Sequence, residues 1–324
     1  MEKLHFKIEN NGKVIEVKHQ KEDENKTEEK IDEEPENNLP EEKKDLPVDY
    51  DTLCITGSSA KGLLILGSLQ YTYDNFMLCN IKIYLGASSG AMICYLLAIG
   101  YTPIEIISYI WTNQLLEKIQ HFNIVAMLQG RGACSFNPIQ EQIEKMTISK
   151  IGYLPTLKNI KDKYDKTLIF TTHNLTLNKT EYLSYETHPE LPCISALRMS
   201  ANLPLVLERY KYGNSYYVDG GISDNFPIQI ADKIGSKILG IILSLEEKNF
   251  NQNLNIDTIE YIYKLMFIPI LQRMKNKIEN IADKCKIIKL RSGKEGVNFF
   301  DFNINSKEKL NMFSSGYEQM KEFF

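Results

Sequence analysis

Three short stretches of this 324-residue chain carry the residue types of acyl-transfer chemistry. Gly86-Ala87-Ser88-Ser89-Gly90 has the form G-x-S-x-G and follows the apolar run Ile81 to Leu85. Such a turn after a strand holds a serine on a sharp elbow, with its hydroxyl presented for attack on a carbonyl. Val218-Asp219-Gly220-Gly221 offers that serine a carboxylate. Thr56-Gly57-Ser58-Ser59-Ala60-Lys61-Gly62 offers a run of backbone N–H groups. Nucleophile, base and oxyanion donors are what a serine acyl hydrolase requires.

Each part has a physical reason for its residue types. A serine hydroxyl is a weak nucleophile and needs a base and an accessible, strained position. Gly86 and Gly90 flank Ser88 because a tight strand-to-helix turn leaves no room for side chains. The helix that follows aims its N-terminal N–H groups at the site, and the Ser89 amide lies where an oxyanion donor belongs. For the base, a Ser-His-Asp arrangement needs a late histidine. The five histidines are His5, His19, His121, His173 and His188, and none lies in the last third. Asp219 reads better. It ends the strand-like run Tyr216-Tyr217-Val218, and two glycines let the backbone turn behind it.

The elements that must position these residues alternate. Strands are expected over Asp51–Thr56, Ile81–Leu85, Leu168–Thr172, Glu181–Ser184, Ile238–Leu245 and Lys284–Leu290. Helices are expected over Gly62–Tyr71, over Ser88–Ile99, which is apolar all round, and over Ile104–Ile119. The alternation predicts an α/β fold, a mostly parallel sheet with helices on both faces.

Residues 1–47 differ from the rest. Residues 3–18 suit a short hairpin around Asn11-Gly12, and 20–47 are charged and proline-containing, too poor in apolar residues to order. This extension reads as a solvated linker or as an acidic segment for a protein partner. The remainder, 48–324, is one domain. A net charge of −4 gives no reason to expect nucleic-acid binding. The six cysteines form no C-x-x-C pair and read as buried free thiols, with neither a disulfide framework nor a zinc site. No signal peptide is visible, and the run near Ala91–Ile99 is too short to span a bilayer, so the cytoplasm is the expected compartment.

With these residues in place, the chain resembles the patatin-like phospholipases over about residues 50–324. Gly57–Gly62 is similar to the family's glycine-rich loop with its basic residue. Gly86–Gly90 matches its G-x-S-x-G, and Asp219–Gly221 its D-G-[GA]. Arg198-Met199-Ser200-Ala201-Asn202-Leu203-Pro204 resembles its Ser-Ala-x-x-Pro segment, Asp224–Pro227 the continuation of the aspartate motif, and Gly316-Tyr317 its C-terminal helix. The resemblance implies a three-layer α/β/α fold and a Ser-Asp dyad, with Ser88 as nucleophile and Asp219 as base. It implies an oxyanion hole from the amides of Gly57, Ser58, Ser59, Ala60, Lys61 and Gly62. The implied substrate is a glycerophospholipid at a membrane surface, and the implied need for a metal or cofactor is none.

One departure bears on activity. The family loop carries consecutive glycines where this chain has Ser58 and Ser59. If either position needs φ > 0, serine resists at a cost of about 1–2 kcal/mol. A misaimed oxyanion donor costs on the order of 100-fold in rate. The alternative to an active hydrolase is therefore a catalytically weakened lipid-binding or scaffolding protein. Lys61 favours anionic head groups, orders the loop, or is merely solvated. Ile256–Leu271, apolar and aromatic and followed by Arg273, Lys275 and Lys277, reads as a core helix or an interfacial one. Leu203–Leu207 lines an acyl pocket or packs on the sheet.

Overall fold

The computed structural model describes residues 49–112, 132–244, 258–291 and 304–324, with residues 123, 125, 127 and 129 between the first two. The extension 1–47 with its expected hairpin, and the end of the helix expected over 104–119, lie outside the described residues. The described residues all belong to the unit Leu46–Phe324.

In chain order the first elements are β1 (Thr52–Ile55), a 3-10 turn (Ser59–Lys61), α1 (Gly62–Asp74), β2 (Ile83–Ala87), α2 (Ser89–Ala98) and α3 (Pro103–Thr112). Next come α4 (Asn137–Ile151), α5 (Leu157–Tyr164), β3 (Thr167–Asn174), β4 (Lys179–Leu183), α6 (Cys193–Ser200), β5 (Tyr210–Tyr212) and β6 (Ser215–Asp219). The last are α7 (Gly221–Asp224), α8 (Ile228–Ile234), β7 (Ile238–Ser244), α9 (Thr258–Ile278), β8 (Cys285–Arg291) and α10 (Ser306–Lys321). The expected strands and helices are present where the chain is described. Sequence reading missed α4, although Pro138 opens it and Ile139, Ile143 and Met146 repeat at helical spacing.

The described strands form one eight-stranded sheet in the order β5-β6-β3-β2-β1-β7-β8, with β4 also paired to β3. The pairs β3–β2, β2–β1, β1–β7 and β7–β8 are parallel. The pairs of β3 with β4 and β6, and of β5 with β6, are antiparallel. The period-2 alternation of a strand sends successive side chains to opposite faces. Leu53 and Ile55 of β1 join a large apolar cluster with α1, α2 and α3, while Cys54 joins a smaller one with Phe226, Ile228 and Ala231. Helices thus cover both faces of a mostly parallel sheet, the three-layer α/β/α arrangement.

One expectation needs correction. Cys54, Cys94, Cys134 and Cys193 are buried free thiols, but Cys79 is exposed in the turn after α1 and Cys285 is half-buried at the start of β8. The apolar α9 is not simply a core helix. Ile270 is buried, but Tyr261, Leu265 and Ile268 are 55%, 50% and 59% exposed and recur at helical spacing along one stripe. No single described helix is long and apolar enough to cross a membrane.

The C-terminal helix α10 crosses α1 at close range because both helices carry glycine at the contact. A Cβ on Gly316 would lie 1.9 Å from the Leu64 carbonyl oxygen, and one on Gly67 would lie 1.8 Å from that of Phe313. Tyr71 and Tyr317 then pack edge to face, with ring centroids 5.4 Å apart. Gly316→Val should therefore push α10 off α1 and cost about 1–3 kcal/mol, seen as a lower midpoint in thermal circular-dichroism melts. An unchanged midpoint would show that the crossing is not held by this contact.

Candidate active site

Strand β3 sets the positions of the two central residues. It pairs with β2 through Ala87↔Thr171 and with β6 through Thr172↔Asp219. The β4 pairing overlaps both of these stretches, so β4 occupies one edge of β3 and β2 and β6 share the other. β2 runs parallel to β3 and β6 antiparallel, so they meet head-on at Thr171-Thr172. Ser88 leaves the end of β2 and Asp219 closes β6 at that junction. Ser88 Oγ donates a hydrogen bond to Asp219 Oδ2 at 2.6 Å.

Ser88 sits on a strained elbow, with φ 54° and ψ −126° before the first turn of α2. The glycines on either side are sterically required. A Cβ on Gly86 would lie 2.6 Å from the Gly90 carbonyl carbon, and one on Gly90 would lie 2.6 Å from the Thr56 carbonyl oxygen. The Ser88 amide donates to Ser200 Oγ at 3.0 Å, and Ser200 Oγ donates to the Thr171 carbonyl at 2.7 Å. Ser200 therefore ties the elbow to β3.

Asp219 is only 3% exposed. Burial raises its carboxyl pKa to about 6, and the hydrogen bonds from Ser88 and from the Gly221 amide limit the rise. The Gly221 N–H donates to Oδ1 at 2.7 Å, so each carboxylate oxygen has a donor. The Asp219 and Gly220 amides donate to the Asn202 and Ser200 carbonyls at 2.9 and 3.0 Å. The chain behind Asp219 is clamped as well. Lys277 of α9 pairs with the buried Asp224 at 2.6 Å, Tyr182 donates to Asp224 at 2.7 Å, and Arg273 donates to the Ser223 carbonyl at 2.7 Å. Removing Lys277 would leave a buried carboxylate unpaired, a costly state.

The loop 57–62 lies across the junction from Ser88. The Gly57 amide donates to the Asn225 carbonyl at 3.3 Å, and Asn225 Nδ2 donates to Thr56 Oγ1 and the Gly57 carbonyl, both at 3.0 Å. The Ser58 amide donates to Ser89 Oγ at 3.0 Å, and the two hydroxyls lie 3.1 Å apart. The Ser59 and Ala60 amides have no acceptor among the described residues. Of the two loop serines, Ser58 has a negative φ of −145° and Ser59 is left-handed at φ 50°. Burial holds the half-buried Lys61 ammonium below the ordinary lysine range.

Gly57, Ser58, Ser59, Ala60 and Gly62 line a cavity of about 190 Å³ together with Ser88, Ser89 and Asp219. Beyond these residues its wall is almost wholly apolar. Met92, Ile93 and Leu96 of α2 face Ile139, Ile143 and Met146 of α4, with Leu203, Val206 and Leu207 near the serine. The Leu203–Leu207 segment thus lines the cavity. No described histidine does so. Among the described residues, no group of three His, Cys, Asp or Glu side chains converges where a metal would sit. Sequence reading assigned no role to Ser200, Asn202 or Asn225. All three lie inside stretches it singled out, but their work is visible only as contacts between distant segments.

A family model described as patatin-like phospholipase matches residues 53–232, more than half of the chain. A protein of Invertebrate iridescent virus 6 named probable lipid hydrolase 463L is 35% identical over 198 residues, which are 59% of this chain and 66% of that protein. Uncharacterized protein R571 of Acanthamoeba polyphaga mimivirus is 25% identical over 280 residues, 83% of this chain and 92% of that one. The crystal structure of VipD from Legionella pneumophila aligns with a TM-score of 0.47 at 15% identity, covering 85% of this chain and 66% of VipD.

The left-handed Ser59 gives a direct test of the loop. Ser59→Gly removes the conformational cost, so its stability should equal or exceed the wild type by up to about 1 kcal/mol. Ser59→Val, β-branched at φ > 0, should lose roughly 1–2 kcal/mol in urea unfolding. Equal stability of the two variants would mean that the loop does not hold this conformation.

Proposed function

We propose a lipid acyl hydrolase function for this chain, which belongs to the patatin-like phospholipase family. The reading rests on one observation: a serine and a buried carboxylate in a 2.6 Å hydrogen bond at the end of an apolar cavity. The viral relative named a probable lipid hydrolase supports it. Glycerophospholipids are the proposed substrates, with one acyl chain in the cavity and the head group outside.

Ser88 Oγ attacks the ester carbonyl carbon while its proton passes to Asp219 Oδ2. The carbonyl oxygen becomes an oxyanion, held by the Ser89 amide and by the Ser59 and Ala60 amides of the loop. The tetrahedral intermediate collapses, the alcohol leaves with the proton from Asp219, and the acyl group remains on Ser88. Asp219 then takes a proton from water, the hydroxide attacks the acyl-enzyme, and the fatty acid leaves as Ser88 is reprotonated. A carboxyl whose pKa is about 6 suits both steps, since it is ionised near neutrality yet basic enough to take a proton.

The exposed stripe Tyr261, Leu265 and Ile268 supports peripheral contact with a bilayer surface. That end of α9 is continuous with the end that clamps the Asp219 turn through Lys277 and Arg273. A second reading, lipid binding with weak turnover, is favoured by the left-handed Ser59 in the oxyanion loop.

Fatty-acid release from mixed phospholipid vesicles tests the reading. Ser88→Ala and Asp219→Asn should each lower the rate at least about 1000-fold. The wild-type rate should fall as pH drops through about 6, because protonated Asp219 cannot accept the serine proton. Wild-type turnover in both variants would rule out the dyad. Vesicle binding without release by the wild type would favour the second reading.

A further inference from the structure

The apolar cavity has one polar side chain away from its catalytic end. Gln142 of α4 lines it between Ile139 and Met146, and is 5% exposed. Its position belongs to the inward stripe of α4, where packing alone calls for an apolar residue. Its Oε1 accepts a hydrogen bond from Tyr109 of α3 at 3.1 Å. Its Nε2 has no acceptor among the described residues. Tyr109 therefore accounts for one end of the amide and leaves the other unmatched. Because Gln142 lines the cavity, the open end of its amide can be matched by a polar group supplied from within it.

The location of Gln142 fits the middle of a bound chain. Ala201, which follows Ser200, clusters with Phe136 at the start of α4, and Ile139 packs against that cluster. The far end of α4 is tied to the far end of α2 by the 3.0 Å bond between Tyr95 and Thr147. Leu96 stands roughly 12 Å along α2 from Ser88, at 1.5 Å per residue. An acyl chain esterified to Ser88 and lying along α2 passes Ile139 first, then Gln142, then Met146.

We propose that Gln142 forms a subsite for a hydroxyl on the acyl chain, so that the preferred substrates are esters of mid-chain hydroxy fatty acids. The inference rests on the lipid hydrolase reading and narrows its substrate class. A hydroxyl donates and accepts, so it pairs with the amide whichever of its two ends faces the cavity. A plain hydrocarbon leaves that end unpaired. Sites built around a hydrogen bond discriminate strongly against analogues that lack the partner group.

Binding of the free acids separates this proposal from turnover. A fluorescent fatty acid bound to the full chain is displaced with mid-chain hydroxystearic acid or with stearic acid. The hydroxy acid should bind about tenfold tighter or more, and in Gln142→Leu the preference should invert. Gln142→Met is the second variant should Gln142→Leu fail to fold. Equal affinity for the two acids, a preference for stearic acid, or binding of neither would overturn the subsite. Hydroxy selectivity in a protein that releases no fatty acid from vesicles would retain the subsite and sink the hydrolase. Fatty-acid release without hydroxy selectivity would do the reverse.

Discussion

The head-on meeting of β2 and β6 along one edge of β3 is the constraint on which the site depends. Parallel and antiparallel neighbours end at adjacent residues, Thr171 and Thr172, so the backbone alone brings Ser88 and Asp219 together. A slip of one residue in either ladder would turn the side chains to the other face. The register is held from both sides. Ser200 joins the elbow to β3, Thr172 Oγ1 donates to the Met199 carbonyl at 2.9 Å, and Asn202 Nδ2 donates to the Tyr217 carbonyl at 3.0 Å. The segment 199–202 thus acts as a seam between the strand that leads to Ser88 and the strand that ends in Asp219.

On the proposed mechanism, burial of Asp219 would serve the chemistry at a cost to the fold. Its folded-state pKa of about 6 lies above the ordinary aspartate value, so the folded state holds its proton more tightly than the unfolded chain does. The sign follows from linkage. Stability falls as pH rises from near 4 to about 6, and the loss persists above that range. The hydrogen bonds from Ser88 and Gly221 reduce this cost without removing it. A carboxylate free in solvent would spare the fold and would be a poor base near neutrality.

Much of this was legible in the sequence, for reasons that differ by element. Apolar runs ending in glycine turns marked β1 and β2, an apolar run alone marked β7, and the elbow glycines were readable through the G-x-S-x-G spacing, which the structure explains by the 2.6 Å approach of a Gly90 Cβ to the Thr56 carbonyl oxygen. Ser88 and Asp219 stood out through their turns. The sign of φ at each serine of the loop was not legible, since it belongs to a loop that also contacts residues far away in sequence, such as Ser89. Neither was Gln142, because an inward polar residue on a helix looks like any surface glutamine until its cavity is seen. The stripe on α9 fell between two readings, since an apolar segment does not declare which of its faces is covered. Ser200 and Asn225 act only through segments far away in sequence, at separations that no local pattern reveals.

The central claim is that Asp219 makes the Ser88 hydroxyl nucleophilic. Labelling with a fluorophosphonate, followed by peptide mass spectrometry, measures that reactivity without any assumption about the lipid. One adduct on Ser88 in the wild type, slowed at least about 100-fold in Asp219→Asn, is the predicted result. An adduct on another serine, or Ser88 labelling at the wild-type rate in Asp219→Asn, would contradict the account.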